Sequence, residues 1–99
     1  MDLFTVKNGR KVLQGTDVTV NIVEPENNEI VTKNIVANAK EVSFSHREGY
    51  LWVVAINGKG GKIVAMDTNT SVDVYDGAEK VLTIRYADLN SFNPEEIYV

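Results

Sequence analysis

Residues 17–23 read DVTVNIV, and this stretch decides the fold class. Val18, Val20 and Ile22 alternate with polar residues, so an extended chain places all three on one face. β-branched side chains pack well on such a pleated surface. The stretch therefore predicts a half-buried β-strand.

Similar patterns recur along the chain, with turn signals about every ten residues. Asn8-Gly9 is the strongest hairpin signal, because both residue types accept the backbone of a two-residue turn. We expect a single all-β domain over residues 1–99, an antiparallel β-sandwich or small β-barrel of about seven to nine short strands. Besides 17–23, the predicted strands are 3–6, 11–13, 29–36, 41–45, 50–56, 62–66, 71–75 and 81–86.

Three places depart from simple alternation. The segment 24–28 should end a strand, because Pro25 lacks a ladder donor and the two Asn residues that follow tolerate turn geometry. The paired apolar residues of 29–36 predict a bulge or a change of sheet. Asn93 suits the N-cap of a helix, and Pro94 suits the first position inside it. We therefore expect at most one helical turn, near the C-terminus.

Residues 50–56 read YLWVVAI and are apolar on both faces. Such a strand is expected at the centre of the fold, covered on both sides, with Trp52 in the core. Residues 62–66 should be its hairpin partner.

Composition excludes several classes of function. The chain has no cysteine, which excludes disulfides and thiolate sites. The net charge of −4 argues against non-specific nucleic-acid binding. We find neither a signal peptide nor an apolar run long enough to cross a bilayer, so we expect no membrane contact and a cytoplasmic location, or the host cytoplasm for a phage-encoded chain.

Catalytic and metal-binding patterns are weak. His46 is the only histidine, it falls in a polar turn, and the nearby Ser43 and Ser45 should point to the outer face of their strand. Residues 67–73 space oxygen ligands like the start of a calcium loop, but Val72 stands where such a loop needs glycine. We therefore expect no enzyme activity, no metal and no cofactor.

A glycine-rich loop supports one binding hypothesis. Its glycines allow backbone N–H groups to converge on an anion, and its lysines add positive charge. The Walker pattern is absent, because Ile63 and a strand follow where Ser or Thr and a helix are needed. This loop is the candidate site of our alternative function, a small-ligand binder that holds an anionic group or a nucleotide phosphate, and it comprises Gly58, Lys59, Gly60, Gly61 and Lys62.

The last third of the chain is acidic. Residues 67–99 carry seven acidic and two basic side chains, whereas residues 1–66 carry seven acidic and eight basic ones. Phe92 and Tyr98 either anchor a protein contact or fold back to plug one end of the barrel, and we favour the plug. The candidate protein-contact residues are Asp73, Asp76, Glu79, Phe92, Glu95, Glu96 and Tyr98.

These observations favour a non-catalytic protein-binding or assembly module with a protein partner. The predicted strands 3–6 and 71–75 are candidate sheet edges for pairing with that partner. A homo-oligomer is compatible with the sequence. A small acidic β domain of this kind also suits a bacteriophage or bacterial accessory protein, such as a virion component or an inhibitor of a host enzyme.

Overall fold

Antiparallel strands dominate the computed structural model, which describes residues 4–93. The all-β prediction is confirmed. Asn8 and Gly9 form the first hairpin turn, both with positive φ, as their sequence predicts. Within the described residues the elements are β1 (Thr5–Lys7), β2 (Arg10–Glu26), β3 (Glu29–Arg47), β4 (Tyr50–Ile56), β5 (Lys59–Ala65), β6 (Ser71–Asp76), β7 (Glu79–Arg85) and a 3-10 helix (Tyr86–Phe92).

The strands belong to one open sheet. β2 pairs with β3 on one side, and with β1 and then β6 on the other. β4 pairs with both β3 and β5, and β7 pairs with β6. The prediction that 71–75 is an edge strand is wrong, because the chain crosses from β5 to β6 and places β6 between β2 and β7. β1, β7 and the 61–65 stretch of β5 have a strand neighbour on one side only within residues 4–93.

Two strands are much longer than expected. β2 has 17 residues and β3 has 19, because β2 joins the predicted strands 11–13 and 17–23, and β3 joins the predicted strands 29–36 and 41–45. Pro25 lies inside β2, where β3 is its single neighbouring strand, because β6 begins at Ser71, opposite Val23, and does not extend alongside Pro25. Such an edge position tolerates proline. The predicted break at 24–28 is confirmed, but it falls at Asn27 and Asn28, both with positive φ, rather than at Pro25.

Bulges bend the two long strands and bring their inner faces around a single core. The β2–β3 register shifts between Gln14 and Asn21, and Asn38 of β3 has a φ of 55°. Val18, Val20 and Ile22 all lie in the core, as their alternation predicts. The remaining core residues are Leu13, Val36, Ala39, Val42, Phe44, Leu51, Val53, Val64, Met66, Val72, Val74, Ile84, Leu89 and Phe92.

The 3-10 helix closes one end of this core. Phe92 is buried, with its ring centroid 5.4 Å from that of Phe4 and 6.1 Å from that of Phe44. The plug that we favoured is confirmed for Phe92. The predicted helical turn after Asn93 and the candidate Tyr98 lie outside the described residues. No helix in residues 4–93 has the length and apolar character needed to cross a membrane.

Candidate protein-contact surface

β4 is covered on one face only. Leu51 and Val53 point into the core and are fully buried, but Trp52 is 39% exposed and lies on the opposite face. The prediction that this strand is covered on both sides, with Trp52 in the core, is therefore wrong. On that side of the sheet, five large apolar side chains are exposed among residues 4–93. We call the exposed apolar side chains of this side the β4 face: Tyr50, Trp52, Val54 and Ile56 of β4, with Ile63 of β5.

Strand register arranges the β4 face in rows. Directly paired residues of antiparallel strands lie on the same face of a sheet. Trp52 is paired with Ser45 on one side and with Ile63 on the other, and Val54 is paired with Ser43 and Gly61. The two serines lie on the outer face, as predicted, but they are almost completely buried between larger neighbours. They form the floor of the surface rather than exposed nucleophiles.

Charged side chains surround the apolar centre. Arg47 and Glu48 line a cleft with Tyr50 and Trp52 at one end of β4. At the other end, Lys7 Nζ lies 3.4 Å from Glu41 Oε2. A contiguous apolar patch with a polar rim is the usual form of a protein interaction site.

The β1–β2 hairpin lies next to the β4 face, beyond β3. Lys7 and Arg10, on either side of the hairpin turn, line a cleft together with Val54 and Ile56. The apolar side chains of the face are thus bordered by basic groups on this side as well.

The glycine-rich loop packs against β3 instead of forming an open hairpin tip. Gly60 and Lys59 pair with Val36 and Ala37. A Cβ on Gly60 would lie 2.3 Å from the Ile35 carbonyl oxygen, and Gly60 has a φ of +100°. The close approach of two backbones accounts for this glycine, which therefore no longer points to an anion.

Gly58 has a similar structural role. A Cβ there would lie 2.6 Å from the Ala39 backbone. Lys59 and Lys62 are exposed, and among the described acidic and basic groups no ion pair involves them. What remains of the phosphate hypothesis is two exposed lysines without a glycine cradle.

The acidic candidates do not form one surface. Asp76 Oδ1 accepts hydrogen bonds from the backbone N–H groups of Asp17, at 3.0 Å, and Thr16, at 3.1 Å, and from the Thr16 hydroxyl, at 3.2 Å. The Asp17 N–H bond is the main cause that lowers the pKa of Asp76, and the Thr16 groups lower it further, against an opposing effect of desolvation. Asp76 thus fastens the β6–β7 hairpin to the bulge of β2.

Asp73 is also engaged within the fold. Its Oδ1 accepts a hydrogen bond of 2.9 Å from the Thr83 hydroxyl, and its Oδ2 lies 3.7 Å from Lys80 Nζ. Glu79 is exposed on the same hairpin, whereas Phe92 lies in the core. The structure therefore does not bring the described acidic candidates together with Phe92. Glu95 and Glu96 lie outside the described residues, and so does Tyr98.

His46 lies in β3, opposite Leu51, and the turn itself is formed by Glu48 and Gly49, so the prediction that His46 falls in the turn is wrong. The Gly49 N–H donates to His46 Nε2 at 3.2 Å, so Nε2 is unprotonated and Nδ1 carries the hydrogen that faces Asn93 Oδ1 at 2.7 Å. Both ring nitrogens are thus used to join the β3–β4 turn to the end of the 3-10 helix. Across residues 4–93, no three His, Asp or Glu side chains are grouped as metal ligands would be.

Sequence reasoning missed the β4 face. The signal for it was that residues 50–56 are apolar on both faces, but we expected both faces to be buried in the core of the same chain. Comparison with known proteins adds nothing to the assignment: no family model matches the chain, and neither curated proteins nor solved structures give a match.

Proposed function

We propose that this chain is a non-catalytic protein-binding or assembly module, and that it contacts its partner through the β4 face. The observation that carries the proposal is the exposed row of large apolar side chains on β4, extended by Ile63 on β5. Single exposed apolar residues are ordinary on a protein surface, but a contiguous group of five is not.

The chemistry of the β4 face suits an interface. Tyr, Trp and Arg are the residues most often found at the energetic centre of protein interfaces. Tyr50 and Trp52 lie beside Arg47 in one cleft. Aromatic rings that a partner buries at the centre of an interface contribute a large share of its affinity, so we expect the partner to cover Tyr50 and Trp52. The charged rim then sets orientation.

Strand addition at the free edge of β5 is a weaker explanation of partner binding. Lys62 lies on this edge, and Gly60 and Gly61 precede it. Lysines and irregular backbone on an edge strand oppose pairing with another strand. We therefore assign the contact to the side chains of the β4 face rather than to the backbone of β5.

Matched isoleucine substitutions test the proposal. Ile63 is 47% exposed on the β4 face, and Ile30 is 69% exposed near the tip of the distant β2–β3 hairpin. A protein captured from the source-cell lysate by the immobilised wild-type chain should be retained by the Ile30→Lys variant and lost by Ile63→Lys. Circular dichroism and melting curves of both variants establish that each one is folded.

The single tryptophan supplies a second measurement. Trp52 emission should shift to shorter wavelength, and acrylamide quenching should fall, when the captured partner binds. A partner that binds both isoleucine variants equally and leaves Trp52 emission unchanged would refute the assignment to the β4 face.

A further inference from the structure

The rows of the β4 face are related by a simple rotation. Residues paired across neighbouring strands form a row that runs across the sheet. The row of Trp52 and the row of Val54 lie on either side of the pair Phe44–Val53, at equal distances from it. The Tyr50 and Ile56 rows come next, again one on each side. Consecutive rows are about 6.8 Å apart, since two residues of an antiparallel strand separate them. A half-turn about an axis across the strands, at the Phe44–Val53 pair, therefore exchanges these rows.

We propose that the occupant of the β4 face is a second copy of this chain, related by a two-fold axis in that position. The proposal rests on the proposed function and specifies its partner. In this dimer Trp52 of each copy lies over Val54 of the other, and Tyr50 lies over Ile56. Ile63 lies over Gly61, which has no side chain. Each larger side chain thus meets a smaller one.

The alternative two-fold axis, parallel to the strands, is unfavourable. With this axis over β4, it would place Trp52 on Trp52 and Tyr50 on Tyr50, and it would carry Arg47 to the β5 side of the second copy, away from Glu41. Bulky rings would then meet bulky rings, and the contact between Arg47 and Glu41 would be lost. Packed sheets cross at about 30°, so the rows match best at Trp52 and Val54, which are nearest the axis.

Charge complementarity supports the same arrangement. Arg47 is paired with Tyr50 at one end of the face, and Glu41 is paired with Ile56 at the other. The rotation places Arg47 of one copy over Glu41 of the second, which its own Lys7 already contacts. Glu48, next to Arg47, then approaches Lys7 of the second copy. The four charges alternate in sign at each end of the interface.

Sedimentation velocity and Trp52 fluorescence measure the self-association. The wild-type chain should sediment at twice the mass of one 11.0 kDa chain and dissociate on dilution. Trp52 emission should shift to longer wavelength over the same dilution range. Ile63→Lys should remain monomeric, because the new lysine would be buried against the second copy, whereas Ile30→Lys should dimerise like the wild type.

Charge variants test the arrangement itself. Arg47→Glu places two acids together at both ends, and Glu41→Arg places two bases together. We expect each variant alone to dimerise about a hundredfold more weakly, tenfold for each of the two symmetry-related contacts. An equimolar mixture should recover dimers, because the new acid of one variant then meets the new base of the other, and the unchanged Arg47 and Glu41 meet at the opposite end. Separate melting curves check that the loss of the Lys7–Glu41 pair leaves Glu41→Arg folded.

The outcomes separate the two proposals. Recovery in the mixture, with monomers in each variant alone, supports the two-fold arrangement. A wild-type dimer whose affinity is unaffected by Ile63→Lys or the charge variants overturns the second copy as the occupant. A wild-type chain that is monomeric throughout, yet protects Trp52 on binding another protein, also overturns it but leaves the proposed function standing. If neither self-association nor partner binding depends on Ile63, both proposals fail.

Discussion

Replacement of Gly60 by alanine should destabilise the fold strongly. Two costs arise from the structure. A backbone φ of +100° is unfavourable for an L-residue by on the order of 1–3 kcal/mol. The new Cβ would also lie 2.3 Å from the Ile35 carbonyl oxygen, and moving packed backbone apart costs on the order of 1–3 kcal/mol more. We expect a total loss of about 2–6 kcal/mol.

Gly77→Ala is the matched control, because Gly77 has a φ of +63° but no atom within 4 Å of its Cβ position. Its free energy of unfolding should fall only by the conformational cost of a positive φ. Urea unfolding gives both free energies, and thermal melting should separate the variants by about 4–8 °C for each kcal/mol between them. Equal losses in Gly60→Ala and Gly77→Ala would refute the close approach to β3. The glycine-rich loop would then regain its interpretation as an anion site, which titration with inorganic phosphate would test.

Two further substitutions test other parts of the structure. Because its pKa is lowered, ionised Asp76 stabilises the fold above the ordinary aspartate range, and this contribution is lost as the pH falls from about 4 through the lowered pKa. Asp76→Asn should therefore be less stable than the wild type at neutral pH but show a flatter acid dependence in urea unfolding; parallel pH profiles would contradict this. Phe92→Ala should lose about 3–5 kcal/mol because it empties the aromatic plug, and Tyr86→Ala, at a half-exposed site, should lose much less. Equal losses would contradict the plug.

Local patterns predicted the parts of the fold that depend on local geometry. The alternation in 17–23 placed Val18, Val20 and Ile22 on one face, and a strand that curls around a core must bury that face. The Asn8-Gly9 turn was equally readable, because positive φ at both positions is a property of those two residues. The break at 24–28 was also predicted correctly, but the turn lies at Asn27 and Asn28 rather than at Pro25. Whether proline ends a strand depends on which side has a neighbour, and β6 happens to stop short of it.

The roles of polar candidates were not predictable, because they depend on long-range partners. Asp76 was selected as one of several acids in the last third of the chain. Its partners, Thr16 and Asp17, come from a bulge about sixty residues earlier in the chain. The alternation of apolar residues does not show where a bulge occurs. The sequence therefore could not predict that Asp76 accepts hydrogen bonds from Thr16 and Asp17. Gly60 was likewise assigned to a ligand because its true neighbour, the Ile35 carbonyl, belongs to a bend of β3.

The exposed face of β4 shows a limit that is specific to sheet proteins. Alternation determines which side chains share a face, but the number of layers determines whether that face is covered. In residues 50–56 both faces are apolar, a pattern that a second layer of the same chain or a second molecule satisfies equally well. The charges favour a second molecule: a face meant for the interior has no reason to carry Arg47 and Glu41 in the outermost rows of the same surface, because unpaired charges are costly to bury. A surface that meets another molecule uses such charges at its rim, and that is why we propose a partner for the uncovered face of β4.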